Sequence, residues 1–361
     1  MKVKNLFFVF LAFCISATVF AEEKTLENNK LWKDTNGNAI QAHDTVLKAG
    51  NKYYWYGLDY SHNKNVGDGN GFRAIKCYES EDLANWTFKN NVITNTTDDR
   101  FYNIEVFNPC VVYNSSTKMY VMWMGTSKGT LVAVSNTPYG NFHVHDTYVD
   151  INAGTIVNSV FVDTDGAGYL VSYCWEDLAI DNPKLYIYRL TDDYLTLRTE
   201  WNTWGDIYSI SFDTRVIGRS QIVKHDGIYY LIVADYGNLQ GNPYNVTKPQ
   251  WYYCMGGGTY TYQGVKWAYT NDLLLEWSGL NSFENKSTAY EFAGVFSVQG
   301  ENKTSLIAAF NGWNSSDLSQ STYHWEPLLW NPNEFLEMDI PYISEHSSIT
   351  VDTKTGSVKS N

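Results

Sequence analysis

The chain has 361 residues, a formal net charge of −13 and an aromatic content of 16%, with 28 tyrosines and 13 tryptophans but only eight prolines. So acidic a protein is repelled by nucleic acid and by anionic membranes, which excludes both as ordinary partners. Its five cysteines stand at wide, irregular spacings that match no zinc-ligand pattern.

In chain order, residues 1–21 read as a secretory leader. Lys2 and Lys4 precede the apolar run from Leu6 to Phe20, and Val19-Phe20-Ala21 closes it just before charged Glu22-Glu23-Lys24. The run is short for a membrane span, and Phe13 spoils Cys14 as a lipoprotein site. The expectation is a secreted or periplasmic protein cleaved near Ala21, with residues 22–361 forming a single domain and acting as a monomer. The remaining Cys77, Cys110, Cys174 and Cys254 lie in apolar strands. They fit either one or two disulfides or buried free thiols.

After a polar lead-in (22–40), one phrase recurs: a short apolar strand, a turn, then an aromatic strand. The openings are His43-Asp44-Thr45-Val46-Leu47, Asn108-Pro109-Cys110-Val111-Val112, Asn158-Ser159-Val160-Phe161, Ser220-Gln221-Ile222-Val223 and Gly294-Val295-Phe296. The turns carry Gly50-Asn51, Ser116-Thr117-Lys118, Asp165-Gly166 and Asp226-Gly227, residues that tolerate positive φ in hairpins. A small antiparallel sheet repeated every 50–75 residues or roughly so implies propeller blades. Five openings imply an all-β, five-bladed β-propeller, with blades at about 41–88, 105–142, 157–197, 218–277 and 291–330. The opening residues of all blades then meet at one axis. Ser348-Ile349-Thr350-Val351 adds a closing strand. Most rings are expected between blades, with a minority exposed to stack on sugars.

The third strands end alike. Cys77-Tyr78-Glu79-Ser80-Glu81-Asp82-Leu83-Ala84-Asn85-Trp86 resembles the "YSSxDLxNW" signature of glycoside hydrolase family 43, and Val134-Ser135-Asn136-Thr137-Pro138-Tyr139-Gly140-Asn141-Phe142 resembles it too. Ala42-His43 before Tyr53-Tyr54-Trp55-Tyr56-Gly57 is similar to the "AHGGG…YYWYGE" opening of the exo-β-1,3-galactanase-like branch. Asn114-Ser115-Ser116-Thr117-Lys118-Met119-Tyr120-Val121-Met122-Trp123 is similar to its "YNPKTGKYVMW". The resemblance implies a five-bladed propeller that hydrolyses terminal galactoside or arabinoside bonds of polysaccharides.

It also implies where the chemistry should sit, and there the sequence departs from the pattern. Glycosidases need one carboxyl group to protonate the leaving oxygen and one to activate water or attack. The family's blade-one base falls on His43, as in the galactanase-like branch. The blade-three carboxylate falls on Val157, the blade-four acid on Gly218, the branch's blade-two Glu on Phe107, and its blade-five amide on Phe292 or Ala293. Valine, glycine and phenylalanine cannot exchange protons. Relocated carboxylates are therefore the candidates: Glu105, Asp44 and Glu176, with Glu291 behind them. Strand alternation lets Glu105 share the face of Phe107, whereas Asp44 and Glu291 need a bulge or bend to reach the axis. Each of these also reads as a solvated or turn-capping carboxylate.

For binding, the candidates are His43, Asn182, Trp175, Trp313 and Trp325. Asn182 matches a sugar-contacting Asn of the branch's "SEDNATL", and the tryptophans are stacking platforms or interblade packing. One histidine without a carboxylate cage makes no metal site, although a central ion such as calcium could be held at His43 through water. The alternatives to hydrolysis are a catalytically degenerate glycan-binding propeller and an interaction scaffold.

Overall fold

The computed structural model describes residues 23–61, 71–146, 148–149, 151, 155–174, 184–198, 207–211, 215–238, 263–283 and 290–361. The leader, Trp175, Glu176, Asn182 and Cys254 lie outside the described residues.

The chain enters through β1 (Lys24–Glu27) and then builds five four-stranded antiparallel sheets, each pairing its strands in sequence order. The first holds β2 (Val46–Ala49), β3 (Lys52–Leu58), β4 (Ala74–Ser80) and β5 (Thr87–Thr94). The second holds β6 (Val106–Asn114), β7 (Met119–Thr126), β8 (Gly129–Ser135) and β9 (His143–Val144). β10 (Thr155–Val162), β11 (Gly168–Cys174), β12 (Lys184–Arg189) and β13 (Ile207–Ser211) form the third. In the fourth are β14 (Arg215–His225), β15 (Ile228–Asn238), β16 (Gly264–Thr270) and β17 (Asn281–Ser282). The fifth contains β18 (Glu291–Gln299), β19 (Thr304–Gly312), β20 (Thr322–Asn333) and β21 (Met338–Tyr342).

A sixth sheet corrects the expectation of five blades. β22 (Ser348–Asp352) pairs with β23 (Ser357–Ser360) on one side and with β1 on the other, from Lys24↔Val351 to Glu27↔Ser348. The arrangement is therefore six-bladed, the last blade having three strands drawn from both ends of the described chain. β1 was hidden because it is four residues long and only Leu26 in it is buried, so no alternation can be read from it.

Hairpin chemistry set the first turns. Asp226-Gly227 joins β14 to β15 in two residues with φ of +46° and +82°, the positive values a tight I′ turn requires. Apolar residues alternate to both faces of each sheet, so neighbouring blades share cores. One cluster joins the first two sheets through Tyr56, Val92, Val111 and Met122. Another packs Leu26, Ile349 and Val351 of the sixth sheet against Trp55, Trp86, Phe296 and Trp325. Cys77 and Cys110 are buried free thiols, and burial raises both, Cys110 to about 12.

Candidate active site

The residues that precede or begin the first strands gather at one end of the axis. His43 is buried there, with its ring stacked on Tyr323 at 4.9 Å and packed against Trp313 at 4.7 Å and Tyr60 at 5.6 Å. Its Nδ1 lies 3.4 Å from Asn311 Oδ1 and its Nε2 3.3 Å from the Tyr323 hydroxyl. Burial pushes its pKa down to about 3, with Arg219 adding to the effect against the Asn311 hydrogen bond. The imidazole is therefore neutral, and both nitrogens are engaged by protein groups rather than open to an ion.

Arg219 organises the charges. Its Nη1 lies 2.6 Å from Asp44 Oδ1 and donates to the His43 carbonyl at 2.9 Å, while Asn311 Nδ2 donates to that same carbonyl at 3.1 Å. Burial works against the guanidinium charge, but Asp44, Glu291 and Tyr60 outweigh it and keep Arg219 protonated. Asp44 and Glu291 are both pushed above the usual carboxylate range, by burial first, with Arg219 opposing in each case.

Glu291 reaches the axis through a bulge. On β18 the register passes from Phe292↔Phe310 to Gly294↔Ala309, which inserts one residue and flips the alternation behind it. Glu291 stands opposite Asn311, so the two side chains share a face. Its carboxylate accepts hydrogen bonds from the Tyr236 hydroxyl and from Trp313 Nε1. Tyr236 in turn occupies the space beside Gly218, where a β-carbon would collide with its ring.

Glu105 is half-buried just before β6, pinned by backbone bonds to Ser127, and close enough to act electrostatically on Tyr60 together with Asp44 and Glu291. β6 is bulged between Phe107↔Gly125 and Cys110↔Trp123, with Asn108 at φ +44°. Below Asp44 and Arg219 an axial cavity of about 290 Å³ runs between the first strands of the five four-stranded sheets, lined in part by Asn108, Ser159, Gln221 and Gln299. The sixth blade contributes nothing to its wall.

Of the residues singled out from sequence, the structure brings together His43, Asp44, Glu291 and Trp313, with Glu105 at their edge. Trp325 is corrected: it is fully buried among Trp32, Trp55 and Phe296 and offers no face to a sugar. Glu176, Asn182 and Trp175 fall outside the described residues, and Val157 lies in β10. Sequence reasoning missed Arg219, Tyr60, Tyr236, Asn311 and Tyr323. Arg219 alone carried a signal, as the one charge between Ile217 and Val223 on an otherwise uncharged first-strand stretch.

Comparison with known proteins places this geometry. The chain has no match among curated proteins. In fold it is similar to 1,3Gal43A, an exo-β-1,3-galactanase from Clostridium thermocellum, at 26% identity and a TM-score of 0.72, covering 93% of this chain and 68% of that one. It is also similar to a Phanerochaete chrysosporium exo-β-1,3-galactanase, Pc1,3Gal43A, with β-1,3-galactotriose (23% identity, TM-score 0.70, 93% and 70% covered). A family 43 β-1,3-galactosidase with galactodeoxynojirimycin matches at 20% identity and a TM-score of 0.67, covering 89% of this chain and 99% of that one. The model of the glycosyl hydrolases family 43 matches residues 38–284, more than half of the sequence. This chain belongs to glycosyl hydrolase family 43.

Proposed function

We propose that the protein is an exported glycosidase that removes a terminal galactoside-type sugar from polysaccharide chains, with Glu291 as proton donor and Glu105 as the group that activates water. The observation that carries this reading is the setting of Glu291. Its carboxyl sits at the axis among Tyr60, Trp313 and Tyr236, and burial raises its pKa, with Asp44 contributing in the same direction. Burial outweighs the opposing Arg219 charge and the hydrogen bonds from Tyr236 and Trp313, which favours a proton on Glu291. Protonated there, it can deliver the proton to the glycosidic oxygen as the bond breaks. Asp44 and Arg219 act as positioning residues beneath it, and the rings of Trp313 and Tyr60 give a sugar an apolar wall. The galactanase names of the similar structures, one of them at 26% identity, support the substrate class. The leader read at residues 1–21 supports action outside the cytoplasm.

A second reading, sugar binding without hydrolysis, is favoured by one observation: Tyr236 fills the space beside Gly218, where the resemblance puts the family's acid. Product release from β-1,3-galactan, arabinogalactan, arabinan and xylan separates the two. The proposal expects single sugars from galactan ends, reduced at least about a hundredfold in Glu291→Gln and in Glu105→Gln. Retained galactan binding with no release from the wild type would overturn it in favour of the second reading.

A further inference from the structure

On the far side of the blades from this site, the hairpin between β14 and β15 turns at Asp226-Gly227, just past His225, which lies six residues along the strand from Arg219. At the rise of an extended strand that is roughly 20 Å away. Here His225 lies flat on Trp330 of the fifth blade, with ring centroids 4.0 Å apart and planes 1° from parallel. The stacking fixes the imidazole and aims Nε2 at two carboxylates. Asp339 Oδ2, on the outer strand of the fifth blade, is 2.8 Å from it, and Asp226 Oδ2 is 3.7 Å from it. The Tyr230 hydroxyl donates to the Asp339 carbonyl and holds that strand in place.

Two acidic side chains thus converge on one nitrogen. A single N–H serves one acceptor, so the second carboxylate gains little there and is repelled by the first. Among the described residues neither pairs with a lysine or arginine. A cation between the three removes the repulsion. The chemistry of the set also selects it: one imidazole and two carboxylates suit a borderline divalent metal rather than calcium or magnesium, which prefer all-oxygen sites. Zinc binds nitrogen and oxygen at about 2.0–2.2 Å, which spaces tetrahedral ligand atoms roughly 3.3 Å apart. The two observed separations bracket that value, and all three ligand atoms lie within 4.8 Å of one another.

We propose that His225, Asp226 and Asp339 bind one divalent transition-metal ion of the zinc class, which staples the fourth blade to the fifth. The remaining coordination positions are left to water. The site is structural, standing apart from the sugar pocket and independent of whether that pocket hydrolyses anything.

The test is calorimetric titration of the EDTA-treated full chain with zinc chloride, with magnesium chloride as comparison and thermal melts alongside. Zinc is expected to saturate one site and raise the melting temperature by about 3–5 °C at hundredfold excess over Kd, with no uptake of magnesium. Asp226 is 80% exposed, so Asp226→Asn keeps the fold; it should weaken zinc at least tenfold and lose the thermal shift. His225→Gln should abolish both. No saturable uptake below about 1 mM zinc, or equal uptake in His225→Gln, as binding at His143 and His145 would give, overturns the proposal.

Discussion

At Gly218 a β-carbon would meet Tyr236, and one residue later Arg219 turns its guanidinium to Asp44; these two neighbours rebuild the centre of the site. Arg219→Met leaves the Asp44 charge buried without a partner, which costs about 3–5 kcal/mol. Urea denaturation should show that loss, and adding Asp44→Leu should recover most of it. His43 gives a pH signature. Its pKa falls from 6.5 unfolded to about 3 folded, so the unfolded chain binds more protons between those values and stability drops as pH is lowered through that window. The raised carboxyls of Asp44 and Glu291 act with the opposite sign, contributing stability at low pH that is lost as pH rises through their folded values. The difference between wild type and His43→Gln is therefore what should be measured. The variant should lose less stability on acidification, by up to about 1.4 kcal/mol per pH unit. From the resemblance, the expectation is that the family's proton-transfer positions fall on Phe107, Val157 and Gly218. Glu291 was legible as a candidate that needs a bulge to reach the axis, but the bulge itself, between Phe292 and Gly294, and the Arg219–Asp44 pair were not.

The signature that carried the family resemblance is a turn, not a catalyst. After the third strand Asp82 accepts from the backbone of Ala84 and Asn85, Leu83 adopts φ +65°, and Trp86 drops into the core with its indole N–H on the Leu83 carbonyl. Asp193 and Asp272 cap the corresponding turns, with Trp277 donating to Leu273 as Trp86 does to Leu83. Such local chemistry is legible from sequence, so the first two strands of all five four-stranded sheets, and the third strand of four of them, were found in order. The short fourth strands, such as β9 and β17 of two residues each, carried no readable pattern. The element that ties the sixth blade down is Asn28, just after β1. Its amide donates to Trp325 O, Glu326 Oε1 and His346 O at 3.0–3.1 Å and accepts from Trp325 N at 2.8 Å. Glu326 is fully buried and also accepts from the His346 backbone. Asn28→Ala should therefore cost about 2–4 kcal/mol in denaturant titration, with the slope unchanged.

For the whole molecule, the sixth blade changes closure without changing the site. β1 and β22 meet from opposite ends of the described chain, Thr25 opposite Thr350 across 325 residues, a pairing that no periodicity announces. Among the described residues the axial cavity beside Asp44 and Arg219 is nonetheless walled only by the five sheets whose openings repeat in sequence, so the axial position was legible even though the blade count was not. The aromatic surplus has the same double meaning. Trp55, Trp86 and Trp325 close the seam between the first, fifth and sixth blades, while Trp313 and Tyr60 pack edge to face and both lie against His43. The central claim is that Glu291 supplies the proton to the departing sugar oxygen. The most direct measurement compares Glu291→Gln with wild type on two galactosides, one with a sugar leaving group and one with a nitrophenyl group that departs without protonation. The account predicts a loss of at least about a hundredfold in kcat/KM on the first and less than about tenfold on the second. Equal losses on both, or no loss on either, would contradict it.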